Sequence, residues 1–228
     1  MIPGQTCAQS DTQPSSAVTP VEDPHAAFAS ALTSDLITRL SFEKSMELGF
    51  AALLRGDPEF AEIEKECAGT IDAITTAARP ILWEGHQRDY LRHRRELNAL
   101  FVRELSPEEA HEAAEFYTSE LGQRMILSAV ENADVSQSVA AALADEDAPI
   151  NERTFQADKR ASTTAAIRAL DQNDLEKIES ILASGNLEST LLKVYPQMAV
   201  LQLELLNSVL LPEEDVALAI IVDEHFAA

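Results

Sequence analysis

Aromatic residues make up only 5% of this chain, glycines number 7, cysteines 2, and the 17 basic residues are far outnumbered by 39 acidic ones. Each scarcity excludes something. Hydrophobic residues reach 46%, drawn largely from Ala and Leu, which lose least on entering a helix, so a turn-rich sheet protein is disfavoured. We expect an all-α fold. A net charge of −22 repels nucleic-acid phosphates and anionic headgroups, so no nucleic-acid partner is expected. No run approaches the roughly 18 to 20 apolar residues of a membrane span, and no charged-then-apolar signal peptide opens the chain. Two cysteines cannot staple a fold, but at 228 residues none is needed, since a compact chain of this size buries roughly 70% of its unfolded surface. Cys67 lies in a helical pattern and is expected as a small buried hydrophobe, with Cys7 as an exposed thiol; pairing them would take an oxidising compartment and an ordered tail.

Residues 1–23 combine Pro3, Pro14 and Pro20 with Ser, Thr and Gln and read as a disordered leader, of the kind that follows a removed export signal. Residues 24–228 read as a single helical domain, either a multi-helix bundle or an array of helical hairpins. Asp23-Pro24 starts the first helix, whose stripe runs through Phe28, Ala31, Leu32, Leu36 and Leu40. Phe42, Met46, Phe50, Leu53 and Leu54 carry on to Gly56, and Asp57-Pro58 restarts the pattern. From Phe60 a stripe of Ile63, Cys67, Ile71, Ile74 and Ala78 reaches Pro80, where a kink or an end is expected. Trp83, His86, Tyr90, His93, Leu97 and Leu100 then follow at steps of three and four.

Ser106-Pro107-Glu108-Glu109 is a strong start signal, with Ser106 as N-cap and Glu109 placed for a capping box. Ala110, Ala113 and Ala114 on the following face would admit a neighbouring helix closely. Ser119 reads either as one more helical residue or as the N-cap of a new helix. An internal repeat bears on the choice: a shift of 65 residues lays 105–135 on 170–200, cap on cap and apolar on apolar. Ser119 falls on Ser184, next to a Gly185-Asn186 break, so a break near Ser119 is expected. Asn151 caps a helix carrying Phe155, Ile167 and Leu170, and a long helix from Leu187 to Val209 contains Pro196. Pro212 opens the last helix, with Val216, Ile220 and Phe226 as the face that meets the core or a partner chain.

The residues Ser106, Glu109, Phe116, Tyr117, Ser119, Gly122 and Arg124 resemble a pattern of the bacterial family catalogued as domain of unknown function 2059: aromatic, Thr or Ser, two variable residues and Glu, then Phe-Tyr-x-Ser-Pro-x-Gly-x-Lys. Leu105, Glu120 and Val130 depart from it, and the likeness covers residues 80–135. The resemblance implies an all-helical fold, export to the periplasm and no established activity.

Chemistry-bearing patterns are thin. Glu108-x-x-His111 has the spacing of a di-metal ligand pair but lacks a second pair, and His86 and His93 lie two turns apart, too far for one metal. Ser106, Ser119 and Ser184 are explained by capping, and no phosphate-cradling glycine loop or paired-cysteine site is present. No catalytic residue, metal or cofactor is expected. Six arginines between Arg79 and Arg103 face three acidic residues, a local excess of basic charge that either neutralises neighbours or offers Arg88, Arg92 and Arg95 to an anionic partner. The leading expectation is a non-catalytic, exported helical protein acting through protein contacts or self-association. The alternative is a binding module enclosing a small apolar or amphipathic ligand among Phe116, Tyr117, Met125, Tyr195 and Met198.

Overall fold

A computed structural model describes residues 23–145, 148–183 and 186–226; the leader up to residue 22 with Cys7, and the expected break at Ser184-Gly185, lie outside the described residues. Among these, every regular element is helical, and the fold is an all-α multi-helix bundle. Helix α1 (Pro24–Leu32) is capped by Asp23, whose carboxylate accepts from the His25 N–H. It ends at Thr33, and Ser34 caps α2 (Asp35–Lys44). The expected stripe from Phe28 to Leu40 is therefore broken: Leu36 faces solvent, while Ile37 and Thr38 turn inward. The Ser34-Asp35 cap and first-turn acid outweigh a continuous apolar spacing.

A π-helical segment (Ser45–Phe50) leads from α2 into α3 (Ala51–Gly56), and Asp57 caps α4 (Pro58–Glu66) by accepting from Glu59 and Phe60. The stripe expected through Cys67 stops there. Gly69 has φ +96°, and the Glu64 carboxylate accepts from the Gly69 and Ile71 N–H groups at 2.7 and 2.9 Å, closing a turn that leaves Cys67 exposed. A left-handed residue with an external cap for the next helix ends the pattern more strongly than spacing extends it.

Helix α5 (Thr70–Glu104) then runs 35 residues and continues through Pro80, so of the two outcomes expected there it does not end. Proline removes one backbone donor, but Ile74 and Ala78 before it and Leu97, Leu100 and Phe101 after it are all buried, so packing on both sides holds the helix together. At about 1.5 Å per residue it is about 52 Å long, and most of the molecule is arranged along it.

The capping box at Ser106 forms as expected: Ser106 Oγ accepts from Glu109 N–H, and Glu109 accepts from Ser106 N–H. Helix α6 (Pro107–Thr118) ends at Ser119, which caps α7 (Glu120–Glu131) by accepting from Gly122 N–H at 3.1 Å. The break expected there is present. Five more helices follow: α8 (Ser136–Ala144), α9 (Glu152–Ala169), α10 (Gln172–Ala183), α11 (Asn186–Leu206, continuous through Pro196) and α12 (Pro212–Phe226). The 65-residue repeat lays α6 on α10 end for end, and Asp171 accepts from Asp174 N–H as Ser106 does from Glu109. Burial is not repeated, because α6 buries five residues and α10 buries Asp174.

The main core forms where α1 settles on the alanine face of α6. Phe28 stacks between Phe101 and Tyr117 at centroid distances of 4.1 and 5.4 Å, and Leu187 and Val194 of α11 close the cluster. A second cluster joins Leu54, Ile71 and Ile74 to Ile221 and Val222. The face of α12 that packs is thus not the expected one: Val216 and Ile220 are about half exposed, and the Phe226 side chain lies outside the described residues. Ile167 and Val209 are also exposed, with Ala166 buried in place of the former and α11 ending before the latter.

Candidate functional site

The π-helical segment follows Phe42 and Met46 inward, with the Ala51 N–H bonding to the Met46 carbonyl five residues back. Its wider turn carries Ser45, Met46, Gly49 and Phe50 to the edge of a cavity of about 370 Å³. Facing them are Gly85, His86 and Tyr90 of α5, Ser138, Val139 and Ala142 of α8, Leu205 and Leu206 at the end of α11, and Ser208, Val209 and Leu210 just beyond it. A second cavity, also of about 370 Å³, lies beside it between α2, α5, α7 and α11 and is lined by Ile37, Ser41, His93, Leu97, Ile126, Val130 and Met198. Ser45, Tyr90, Val135, Leu205 and Leu206 line both, so the two form lobes of one site about a shared wall.

The lobes differ in polarity. In the first, His86 Nε2–H donates to the Thr38 carbonyl at 3.0 Å, and its ring lies among Phe42, Trp83 and Tyr90. Burial lowers the His86 pKa, leaving the ring a neutral hydrogen-bonding brace. At the rim Arg88 bonds Glu214 of α12 at 2.5 Å and Asp89 at 3.2 Å, and Glu214 also accepts from Leu211 N–H. That backbone bond is the main reason the Glu214 pKa is lowered, with Arg88 adding to it.

In the second lobe, His93 is 5% exposed, and its Nδ1 is sealed from solvent without a hydrogen-bond partner. Burial, reinforced by Arg92, pushes its pKa down from 6.5 to about 4, so the ring is neutral at neutral pH. Burial raises the Tyr90 pKa, with Ser41 partly offsetting it.

The residues proposed from sequence are only partly gathered here. Met198 lines the second lobe. Phe116 and Tyr117 instead fill the main core, where burial pushes the Tyr117 pKa to about 12, and Met125 packs against that core. Tyr195 is exposed, with the Lys159 ammonium 4.3 Å above its ring. The main core is filled where α1 packs on α6, and the cavities instead lie around the π segment, between α2, α5, α8 and α11.

The arginines of α5 serve mostly as internal ties. Arg88 reaches α12, Arg92 donates to Ser208 Oγ at 2.7 Å, Arg94 donates to the Thr33 carbonyl and hydroxyl, and Arg79 pairs with Glu43. Arg95 is exposed. His111 is exposed, 3.3 Å from Glu115, and among the described residues no group of three or more potential metal ligands converges. No helix of the described chain is long and apolar enough to cross a membrane. Tyr90 and His93 stood in the α5 stripe but read as core; their alternation with Trp83 and His86, polar-tipped rings repeated on one buried face, was the available signal. Set against known protein families, characterised proteins and solved structures, the chain finds no match.

Proposed function

We propose that this protein is a non-catalytic binding module that takes a small apolar or amphipathic molecule into the two lobes around Tyr90. The observation carrying this reading is the pair of adjoining, mainly aliphatic cavities of about 370 Å³ each. Ligand sites typically occupy roughly 300 to 1,000 Å³, lined by apolar side chains with a few placed polar groups. A π-helical turn in the wall is further support, since such turns recur at functional sites. The kinship suggested by the Ser106 to Arg124 pattern, and the periplasmic export it implies, belong to the same proposal.

Nile red, a neutral apolar dye, tests the site directly. Saturable one-to-one binding is expected, with loss of binding in Gly49→Leu, because a side chain at Gly49 meets no atom within 4 Å and would grow beside the first lobe. Absence of saturable binding, or unchanged binding in the variant, would refute the reading. A second reading, association through protein contacts, is favoured by one observation: Val209, Leu210, Leu211, Val216 and Ile220 lie exposed along one stretch. Light scattering across a range of concentrations checks it, and a strictly monomeric protein would remove its support.

A further inference from the structure

The proposed ligand site also carries information about the head of its occupant. We infer that His93 is the residue that selects the ligand, by hydrogen bonding the single hydroxyl or carbonyl group of an otherwise apolar, uncharged molecule held in the second lobe. This inference rests on the ligand-binding reading above.

A buried polar atom without a partner is destabilising, so native structures pair such atoms with protein, water or ligand. Four buried side-chain atoms among the described residues lack partners, and one of them belongs to a residue lining a lobe, His93; its Nδ1 is out of reach of water in the lobe, so the nitrogen that can meet an occupant is Nε2. Several other polar groups of the second lobe are engaged: Thr33 Oγ1 donates to the Ala29 carbonyl at 2.7 Å, Ser45 Oγ donates to the Ser41 carbonyl at 2.9 Å, and Gln202 Oε1 accepts from Lys159 at 3.0 Å. What the lobe offers an occupant is the His93 imidazole, beside the Gln202 amide, surrounded by Ile37, Leu97, Ile126 and Met198.

Charge decides the class of head group. A carboxylate or phosphate needs an available cation, yet Lys44 at the edge of this lobe is paired with Glu47 at 3.1 Å, and Arg88 in the other lobe is held by Glu214 and Asp89. The whole chain, at −22, adds a field that opposes an anion. An ammonium group fares no better, because no Asp or Glu side chain lines the second lobe. An uncharged head is left. Neutral imidazole has one donor and one acceptor nitrogen and so suits a hydroxyl, which does both, or a carbonyl, which accepts. The lowered pKa keeps the ring in that neutral form at neutral pH. The volume, equivalent to roughly a dozen waters, suits a molecule with a short chain or a few rings.

The test is displacement of Nile red from the full-length protein by 1-octanol, octane, octanoate and octylamine. Octanol is expected to compete about tenfold better than octane, the size of one added neutral hydrogen bond, and better than either ion. In His93→Leu the octanol advantage should collapse to near unity while octane binding is kept, and His93→Gln, which retains a donor and an acceptor, should restore part of it. Circular dichroism of both variants confirms folding. If octane and octanol compete equally in the wild type, or if octanoate or octylamine competes best, the assignment of His93 and of a neutral ligand is overturned while the binding reading stands. If neither the dye nor any of the four compounds binds, both fall together.

Discussion

Replacing Gly122 by alanine tests whether the turn between α6 and α7 is built as described. Alanine is the better helix former by about 1 kcal/mol, so propensity alone predicts a gain. The surroundings predict the opposite. An added Cβ at position 122 would press on the Phe116 carbonyl oxygen and stand 2.8 Å from Tyr117 Cα, and these are backbone atoms that no rotamer change can move. Overpacking of this kind costs about 1 to 3 kcal/mol, and swinging α7 away would also break the Ser119 cap, worth about 1 kcal/mol. A net loss of about 1 to 3 kcal/mol is expected, or roughly 2 to 12 °C in Tm for a chain of this size. Gly49→Ala provides the control, being the same chemical change at a helical glycine with nothing within 4 Å of the new Cβ, and it should stabilise by about 0.5 to 1 kcal/mol. Thermal unfolding followed by far-ultraviolet circular dichroism reads both. A Gly122→Ala protein melting at or above the wild-type temperature would show that α7 does not cross the last turn of α6 so closely.

His93 should make stability depend on pH in a definite window. Its folded value of about 4 lies below the ordinary 6.5, so the unfolded chain takes up the proton first and stability falls as pH drops from about 6.5 to about 4. Urea midpoints at pH 7 and pH 5 should separate in the wild type more than in His93→Leu, and equal separations would contradict the burial of this ring. Cys67 should react with a thiol reagent in the native state, measured in a Cys7→Ser background, at close to the rate of the unfolded protein. A strongly protected thiol would restore the buried position expected from its helical spacing.

Helix starts were the most legible part of the sequence. Asp23, Asp57, Ser106, Ser119 and Asn151 all cap as their residue types suggest, because a cap is a local contract between one side chain and the next turn. A competing local signal outweighs spacing: Ser34-Asp35 and Gly69 each end an apolar stripe that spacing alone would extend. Pro80 shows the reverse, since its effect on α5 is settled by distant neighbours packed on either side. The candidate site was the least legible. Phe116 and Tyr117 are large and distinctive in the sequence, but large side chains fill space, and the cavities lie between helices α2, α5 and α11 on the side away from that core. A void depends on how far apart helices stop, and no single residue type encodes that distance. Met198 does line the second lobe, since its face of α11 serves both the main core and that lobe.

The π-helical segment from Ser45 to Phe50 turns the site into a matter of residue count. Such a segment holds about one residue more than an α-helix of the same span, with bonds to the fifth residue instead of the fourth. Shortening it by one residue would return the ladder to α-helical spacing while leaving Phe42 before it and Leu54 after it on the same buried side. A deletion in the middle of a helix ordinarily rotates everything beyond it out of register. Here it would be absorbed locally, and the wall of the first lobe would change while both cores stayed in place. In an alignment of relatives, a one-residue gap between Lys44 and Ala51 would therefore separate chains that keep the widened turn from chains that share the bundle but not its hollow.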